Sequence, residues 1–209
     1  MNRSEFKKLL KKTWHFIWEE DSLLSWIVNI ILAFILIKFI VYPGLGFVLG
    51  TTHPIVAVVS GSMEHNQNFD DWWYANEAWY TDKGITKDDF QSFIFKNGFN
   101  RGDIMILKGR DASKIEEGEV IVFISSRDRP RADPIIHRVV KIDKTGQGAL
   151  YFQTKGDNNP SSINLCDQDG CLHELDIRSQ QVIGNAIFRI PFLGYIKIWF
   201  VELIQLFMR

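Results

Sequence analysis

The sequence predicts a mainly β domain carried behind one N-terminal transmembrane helix, with a short helical insertion and a C-terminal amphipathic helix. Three observations predict it. Residues 23–42, LLSWIVNIILAFILIKFIVY, hold one charge, Lys38, in twenty residues. Short runs of strand-forming residues recur at 55–59, 103–108, 119–124, 134–142, 149–155 and 181–190, separated by turn-forming stretches such as DASKIEEG and KTGQG. The closing segment 191–209 sets Phe192, Leu193, Ile196, Trp199, Phe200, Leu203, Leu206 and Phe207 on one helical face, with Lys197, Glu202, Gln205 and Arg209 elsewhere.

The apolar run comes first. An α-helix of that length spans ~30 Å, the thickness of a bilayer core. A cleaved secretory leader would carry an apolar core of only about 7–15 residues and a small-residue cleavage site. This run is longer and bulkier, so it reads as a retained anchor, with Lys38 near its far end extending toward the interface. Arg3, Lys7, Lys8, Lys11 and Lys12 precede the anchor, and no Lys or Arg occurs in 43–82. That asymmetry predicts a cytoplasmic N-terminus and a single pass through the cell membrane, with everything after about residue 43 outside. Phe6, Leu9, Leu10, Trp14, Ile17 and Trp18 recur at helical spacing among the lysines. They fit a helix lying on the cytoplasmic leaflet, or one that merely flanks the anchor. PGLG at 43–46 is expected to end the anchor helix.

The division expected is a cytoplasmic segment 1–22, an anchor 23–42, an extracytoplasmic β domain 51–190 and a C-terminal helix 191–209. Two charges in the middle of the last segment favour a helix lying in the outer interface over one that spans. An insertion at 64–100 interrupts the strand pattern. Its DDWWYANEAWY is aromatic and acidic, and its TKDDFQSFIF predicts a short helix with Thr86 as N-cap and Asp89 three residues on. The segment reads as a cover over the sheet.

The 209 residues favour one principal domain, and the net charge of −1 offers no basic footprint for nucleic acid. Cys166 and Cys171, in CDQDGC, are too few for a zinc site with only His173 near. They are two free thiols, or a small disulfide loop if the domain faces an oxidising compartment.

The stretch HPIVAVVSGSMEH, residues 53–65, runs a strand into Ser60, Gly61, Ser62 and Met63. Serines in a turn are ordinary, and a serine becomes a nucleophile only when a base takes its proton. His15 precedes the anchor. His53 and His65 flank the turn in polar contexts expected to be exposed, and His173 lies in a polar loop. His137 differs, because it sits inside the apolar strand PIIHRVV. If residue 142 pairs with 149 or 150 in the next hairpin, residue 137 lies opposite 154–155. Asp157 then stands just past the strand end, with Gly156 allowing the turn. A carboxylate bonded to one ring nitrogen leaves the other free to accept a proton.

Four motifs in order carry a family resemblance. SGSM at 60–63 after an anchor and a strand, RGDIMIL at 101–107, IIHRVV at 135–140 and TKGDNN at 154–159 resemble the membrane-bound type I signal peptidases of the archaeal and endoplasmic-reticulum branch. VIGNAIFRIPFLGYIKI at 182–198 resembles that family's last strand and the segment after it. The resemblance implies a signal-peptidase-like β domain and a serine endopeptidase that removes signal peptides through an acyl-enzyme. By position, Ser62 matches the nucleophile and His137 the base. Ser60 and the backbone of Ser62 match the oxyanion hole, and Met63 is assigned to substrate contact. Typical members place the triad acid six residues after the position of Asp157. Here that position is Ile163, between the uncharged Ser162 and Asn164. Asp157 is therefore expected to orient His137, with Asp167 or Asp169 as alternatives.

The partners implied are signal peptides of preproteins, the lipid bilayer and the protein translocation machinery. No cofactor is expected, since the chain has no HExxH and no Gly-rich phosphate loop. Two rival readings remain at this point. One is a dedicated processing peptidase of the same fold, and the other a catalytically silent tethered β domain that binds exported chains.

Overall fold

The computed structural model describes residues 2–146 and 148–207. The chain divides into two compact units, Met1–Val48 and Leu49–Arg209.

The first unit is helical. α1 is Arg3–Trp18, and α2 is a continuous helix from Leu23 to Leu49, 27 residues long. At 1.5 Å per residue α2 measures ~40 Å, long and apolar enough to cross a membrane. Ser22 caps its start by accepting from the Ser25 N–H. Two polar side chains of α2 serve the end of α1: Ser25 Oγ donates to the Phe16 carbonyl at 2.6 Å and Asn29 Nδ2 to the Ile17 carbonyl at 2.9 Å. Carbonyls in the last turn of a helix lack intrahelical donors, and these two are satisfied from the next helix.

The expected break at PGLG does not occur. Ile37–Val41 forms a π-helical turn, in which the Tyr42 N–H reaches back to the Ile37 carbonyl, and the helix resumes over Tyr42–Leu49. A proline inside an α-helix lacks a donor and clashes with the carbonyl four residues earlier. The widened turn ahead of Pro43 relieves both, so the helix passes through.

The second unit is built on a seven-stranded antiparallel sheet. Its strands are β1 Ile55–Ala57, β2 Ile104–Lys108, β3 Val120–Phe123, β4 Ile135–Lys144, β5 Leu150–Lys155, β8 Ile177–Arg178 and β9 Val182–Ile190, ordered β1-β2-β9-β3-β4-β5-β8. A separate hairpin pairs β6 Asn164–Asp167 with β7 Gly170–His173. Bulges interrupt the pairings β2–β9, β3–β9 and β4–β5, and bulges increase local bend and twist. The sheet curls over two cores. Val120 and Val122 of β3 join Val58, Met63, Met105 and Leu107, while Ile121 and Phe123 join Val139, Phe152, Leu172 and Ile177. A strand buried on both faces reads as an unbroken apolar run, which is the VIVF of β3.

All six predicted strands are present. The hairpin and β8 escaped prediction because their runs are only two to four residues long. The β4–β5 turn is tighter than expected, so Ile142 pairs with Phe152 and the ladder continues to Lys144 and Leu150. A bulge at Val140 then returns one residue, leaving Arg138 opposite Lys155.

The insertion carries two helices, not one. α3 is Phe69–Asp82, capped by Asn68, and α4 is Lys87–Ser92, capped by Thr86 with Asp89 returning the bond. Trp72, Trp73, Tyr80 and Phe90 pack with Val140 of β4, so the segment covers the sheet. The C-terminal helix α5 is Tyr195–Phe207. It buries Ile198 and exposes Ile196, Trp199, Phe200, Leu203 and Leu206. Arg101 Nη2 donates to Glu202 at 3.0 Å, and the Tyr195 ring lies where a side chain on Gly102 would be. The side chains of Lys197 and Gln205 and all of Arg209 lie outside the described residues.

Candidate active site

Ser62 stands in the turn after β1, and His137 faces it from β4. Ser62 Oγ donates to His137 Nε2 at 2.9 Å. Only a donor can face a carboxylate oxygen, and His137 Nδ1 stands 2.5 Å from Glu174 Oε1. The Nδ1–H therefore donates to Glu174, and Nε2 is left with the lone pair that meets the serine hydroxyl. Ser60 Oγ lies 3.1 Å from Ser62 Oγ. Among the described residues the Ser62 N–H has no acceptor, while its carbonyl takes the Asn158 N–H at 2.8 Å. Asn158 Nδ2 also donates to the Gly61 carbonyl, so the 154–159 loop holds the serine turn from below.

Glu174 is fully buried and completely satisfied. Besides His137 it accepts from Thr154 Oγ1 at 2.9 Å and from the Ile163 N–H at 2.7 Å. Its carboxylate is held from three sides, and the imidazole is fixed in one tautomer.

Asp157 does not serve His137. It accepts from Arg138 Nη2 at 2.7 Å, Arg138 Nε at 2.9 Å, His65 Nε2 at 3.0 Å and Tyr80 Oη at 3.1 Å. The reason is the pleat: neighbouring residues of a strand point to opposite faces. His137, Val139 and Thr154 share one face, and Arg138 and Lys155 share the other. Asp157 lies with the second set. Burial alone would raise its carboxyl, but Arg138 and His65 more than reverse this and hold it far below the usual carboxylate range. Burial also opposes the Arg138 charge, which Asp157 restores, and burial pushes the Lys155 ammonium down to about 8. Burial and the Asp157 charge together raise the Tyr80 phenol well above its ordinary value.

The other sequence-predicted residues distribute as follows. Met63 is 1% exposed and packs in the core, with its sulfur accepting the Asp157 N–H. It cannot touch substrate, because an apolar residue following the serine turn is drawn under the sheet. His65, expected at the surface, has a side chain only 1% exposed and stacks on Trp72 at 3.7 Å. Asp167 pairs with Arg131 at 2.5 Å and Asp169 lies exposed at the hairpin tip, so neither reaches His137. Cys166 and Cys171 form a disulfide across the hairpin.

Glu174 was missed, yet its signal was present. CDQDGC places two cysteines symmetrically about a DG-containing turn, which reads as a hairpin. Continuing that ladder three residues from the cysteine pair puts Glu174 opposite Ile163. The carboxylate comes from across the hairpin, opposite position 163, where the resemblance implied an acid.

Gly156 is needed for close approach. A Cβ there would lie 2.8 Å from His137 Nε2, 2.8 Å from the Ser62 carbonyl and 2.7 Å from Asn159 Nδ2. Gly156→Ala is expected to push the ring and the serine apart and lower turnover about 100-fold, the cost typical of misplacing a reacting group by ~1 Å. Kinetics on a short peptide check this, and near-normal turnover would contradict it.

A cleft of about 420 Å³ opens beside the serine. Its lining includes Ala57 and Val59 ahead of the serine turn, Pro134, Ile135 and Ile136 at the start of β4, and the charged Arg131, Asp133 and Asp169. An extended chain laid there meets edge backbone on both sides, the arrangement used in strand addition.

No family model matches the chain. It is 31% identical over 164 residues to the signal peptidase complex catalytic subunit SEC11 of Colletotrichum graminicola, a stretch covering 77% of this chain and 71% of that protein. The corresponding protein of Pyrenophora tritici-repentis is 31% identical over 161 residues, covering 77% of this chain and 70% of its own length. The signal peptidase complex catalytic subunit SEC11C of Homo sapiens is 29% identical over 159 residues, covering 76% of this chain. The match spans 62% of that human protein's length.

Proposed function

The chain belongs to the family of signal peptidase catalytic subunits, and on that premise we propose that it is a membrane-anchored serine endopeptidase that removes signal peptides from preproteins. The single observation that carries this reading is the hydrogen-bonded line from Ser62 through His137 to Glu174. Ser62 Oγ attacks the scissile carbonyl as His137 Nε2 takes its proton. The imidazolium returns that proton to the leaving amine, and an acyl-enzyme remains. Water, deprotonated by the same imidazole, then releases the acyl group and frees Ser62. Glu174 orients the ring and offsets its transient charge. The Ser60 hydroxyl and the Ser62 N–H receive the oxyanion, each donor of that kind being worth about 3–4 kcal/mol.

The substrate lies extended in the cleft between Val59 and Ile135, with small side chains at the first and third positions before the cut. α2 is the anchor and α5 rests in the outer interface. The partners are signal peptides, lipid and, as the names of the relatives indicate for them, other subunits of a complex. The catalytic unit stands outside the cell membrane. Protease added to right-side-out cells should therefore reach the 64–100 segment, and protection of that segment would contradict the orientation.

The test is direct. The detergent-solubilised chain should cleave a preprotein, and a serine-directed acylating inhibitor should stop cleavage while labelling Ser62. Absence of both cleavage and label would leave a binding domain in place of a peptidase.

A further inference from the structure

The Glu174 backbone is held from β5 by the Thr154 N–H on its carbonyl at 2.9 Å, while its carboxylate is steered from the hairpin strand that packs least. All four residues of β6 are exposed, whereas β7 buries Gly170, Cys171 and Leu172. β7 is secured from its other side by Cys171 N–H to the Arg129 carbonyl and His173 N–H to the Ser125 carbonyl. β6 itself is therefore held by apolar packing only at its start, where the preceding Ile163 packs against the second core, and a two-stranded ribbon alone is marginal in water. Yet β6 begins beside Ile163, whose N–H holds Glu174 Oε2 and whose carbonyl takes the Glu174 N–H at 2.9 Å. β6 and β7 are joined by their backbone ladder and by the Asn164–His173 side-chain hydrogen bond, and the Cys166–Cys171 disulfide adds a covalent link between directly opposed residues, reinforced by Arg131 and Arg129 on Asp167. Three ladder steps, ~10 Å, separate the disulfide from the Ile163–Glu174 pair.

Resting on the peptidase reading, we propose that the Cys166–Cys171 disulfide is a positioning element for Glu174, and through it for His137. The bridge locks the hairpin register. A slip of one residue would turn Ile163 and its neighbours to the opposite face and remove the N–H that steers Glu174. The linked residues are five apart in sequence, so the loop closed is short and the bridge constrains the unfolded chain little. Its effect falls on local geometry more than on global stability. A carboxylate supplied from across a hairpin needs that register held, and an acid at position 163 itself would not.

The experiment compares the full-length detergent-solubilised chain with Cys166→Ser/Cys171→Ser on a short signal-peptide substrate. We expect kcat to fall about 10- to 100-fold, the range for a misplaced catalytic group, with KM changed less than about twofold. The same pair of substitutions in a Glu174→Gln background should cost less than about twofold, since coupled residues are not additive. Hydrogen exchange should quicken in peptides covering 160–176 and stay unchanged in 119–124. If the double variant does not fold, the native protein is reduced with dithiothreitol, whose two thiols close to a cyclic disulfide as the cysteines gain the hydrogens, and is measured in its place. An unchanged kcat, or an equal loss in both backgrounds, overturns the proposal while an active wild type keeps the peptidase reading. A wild type that neither cleaves nor labels at Ser62 overturns the reading and this proposal with it.

Discussion

Glu174→Gln is expected to lower kcat for preprotein cleavage by about 10⁴-fold, the cost of the equivalent amide replacement in an established serine triad. The present carboxylate accepts from three donors, His137 Nδ1–H, Thr154 Oγ1 and the Ile163 N–H. A glutamine offers one oxygen and turns an NH₂ toward the other donors. One buried donor then loses its acceptor, or the amide faces the imidazole and forces the wrong tautomer. In either case the imidazolium formed in the transition state has no countercharge. KM should change little, because Glu174 does not line the cleft, and the fold should persist. Asp167→Asn and Asp169→Asn should each cost less than about tenfold, since one side chain is occupied by Arg131 and the other is exposed. Steady-state kinetics of the three variants on one preprotein settle the assignment. Turnover of Glu174→Gln within tenfold of wild type would remove Glu174 from the triad.

Asp157→Asn is expected to act on folding. Removing one partner of a buried ion pair leaves the other charge uncompensated, typically at a cost of about 3–5 kcal/mol. Arg138 and Asp157 are both fully buried, and the guanidinium also donates to the carbonyls of Ile94, Phe95 and Gly118. The charge cannot leave without breaking the link between the helical insertion and β4. The midpoint of thermal unfolding should fall by roughly 10 °C, while kcat per folded, acylation-competent molecule stays within about tenfold. The pH dependence has a definite sign. The Asp157 carboxyl is depressed in the fold relative to an unfolded value of about 3.9, so its contribution is present above that pH and lost as pH falls toward the folded value. Wild type should lose stability in that acid window, and Asp157→Asn should show a flatter acid limb. A variant as stable as wild type, or one folded but inactive, would return Asp157 to the catalytic line.

Much of this protein was determined locally. Twenty predominantly apolar residues with one charge determine a bilayer-length helix because the backbone must bond to itself in lipid. Apolar runs such as VIVF and PIIHRVV determine strands because β-branched side chains fit a pleated, buried surface. Ser62 and His137 were legible for a related reason, as a strand-end serine and a histidine where the pattern calls for an apolar residue. Tertiary structure decided the rest. Whether Asp157 or Glu174 meets His137 depends on which face of the sheet each side chain occupies, and one residue of register reverses that. The bulge at Val140 and the tight β4–β5 turn set the register, and neither leaves a local pattern. Met63 and His65 read as surface residues beside a reactive turn until the core beneath β1 and the ring of Trp72 enclosed them. Pro43 read as a helix stop until the π turn Ile37–Val41 just ahead of it made room for it. Local propensity chose the elements, and the long-range pairing of faces chose which carboxylate met the histidine.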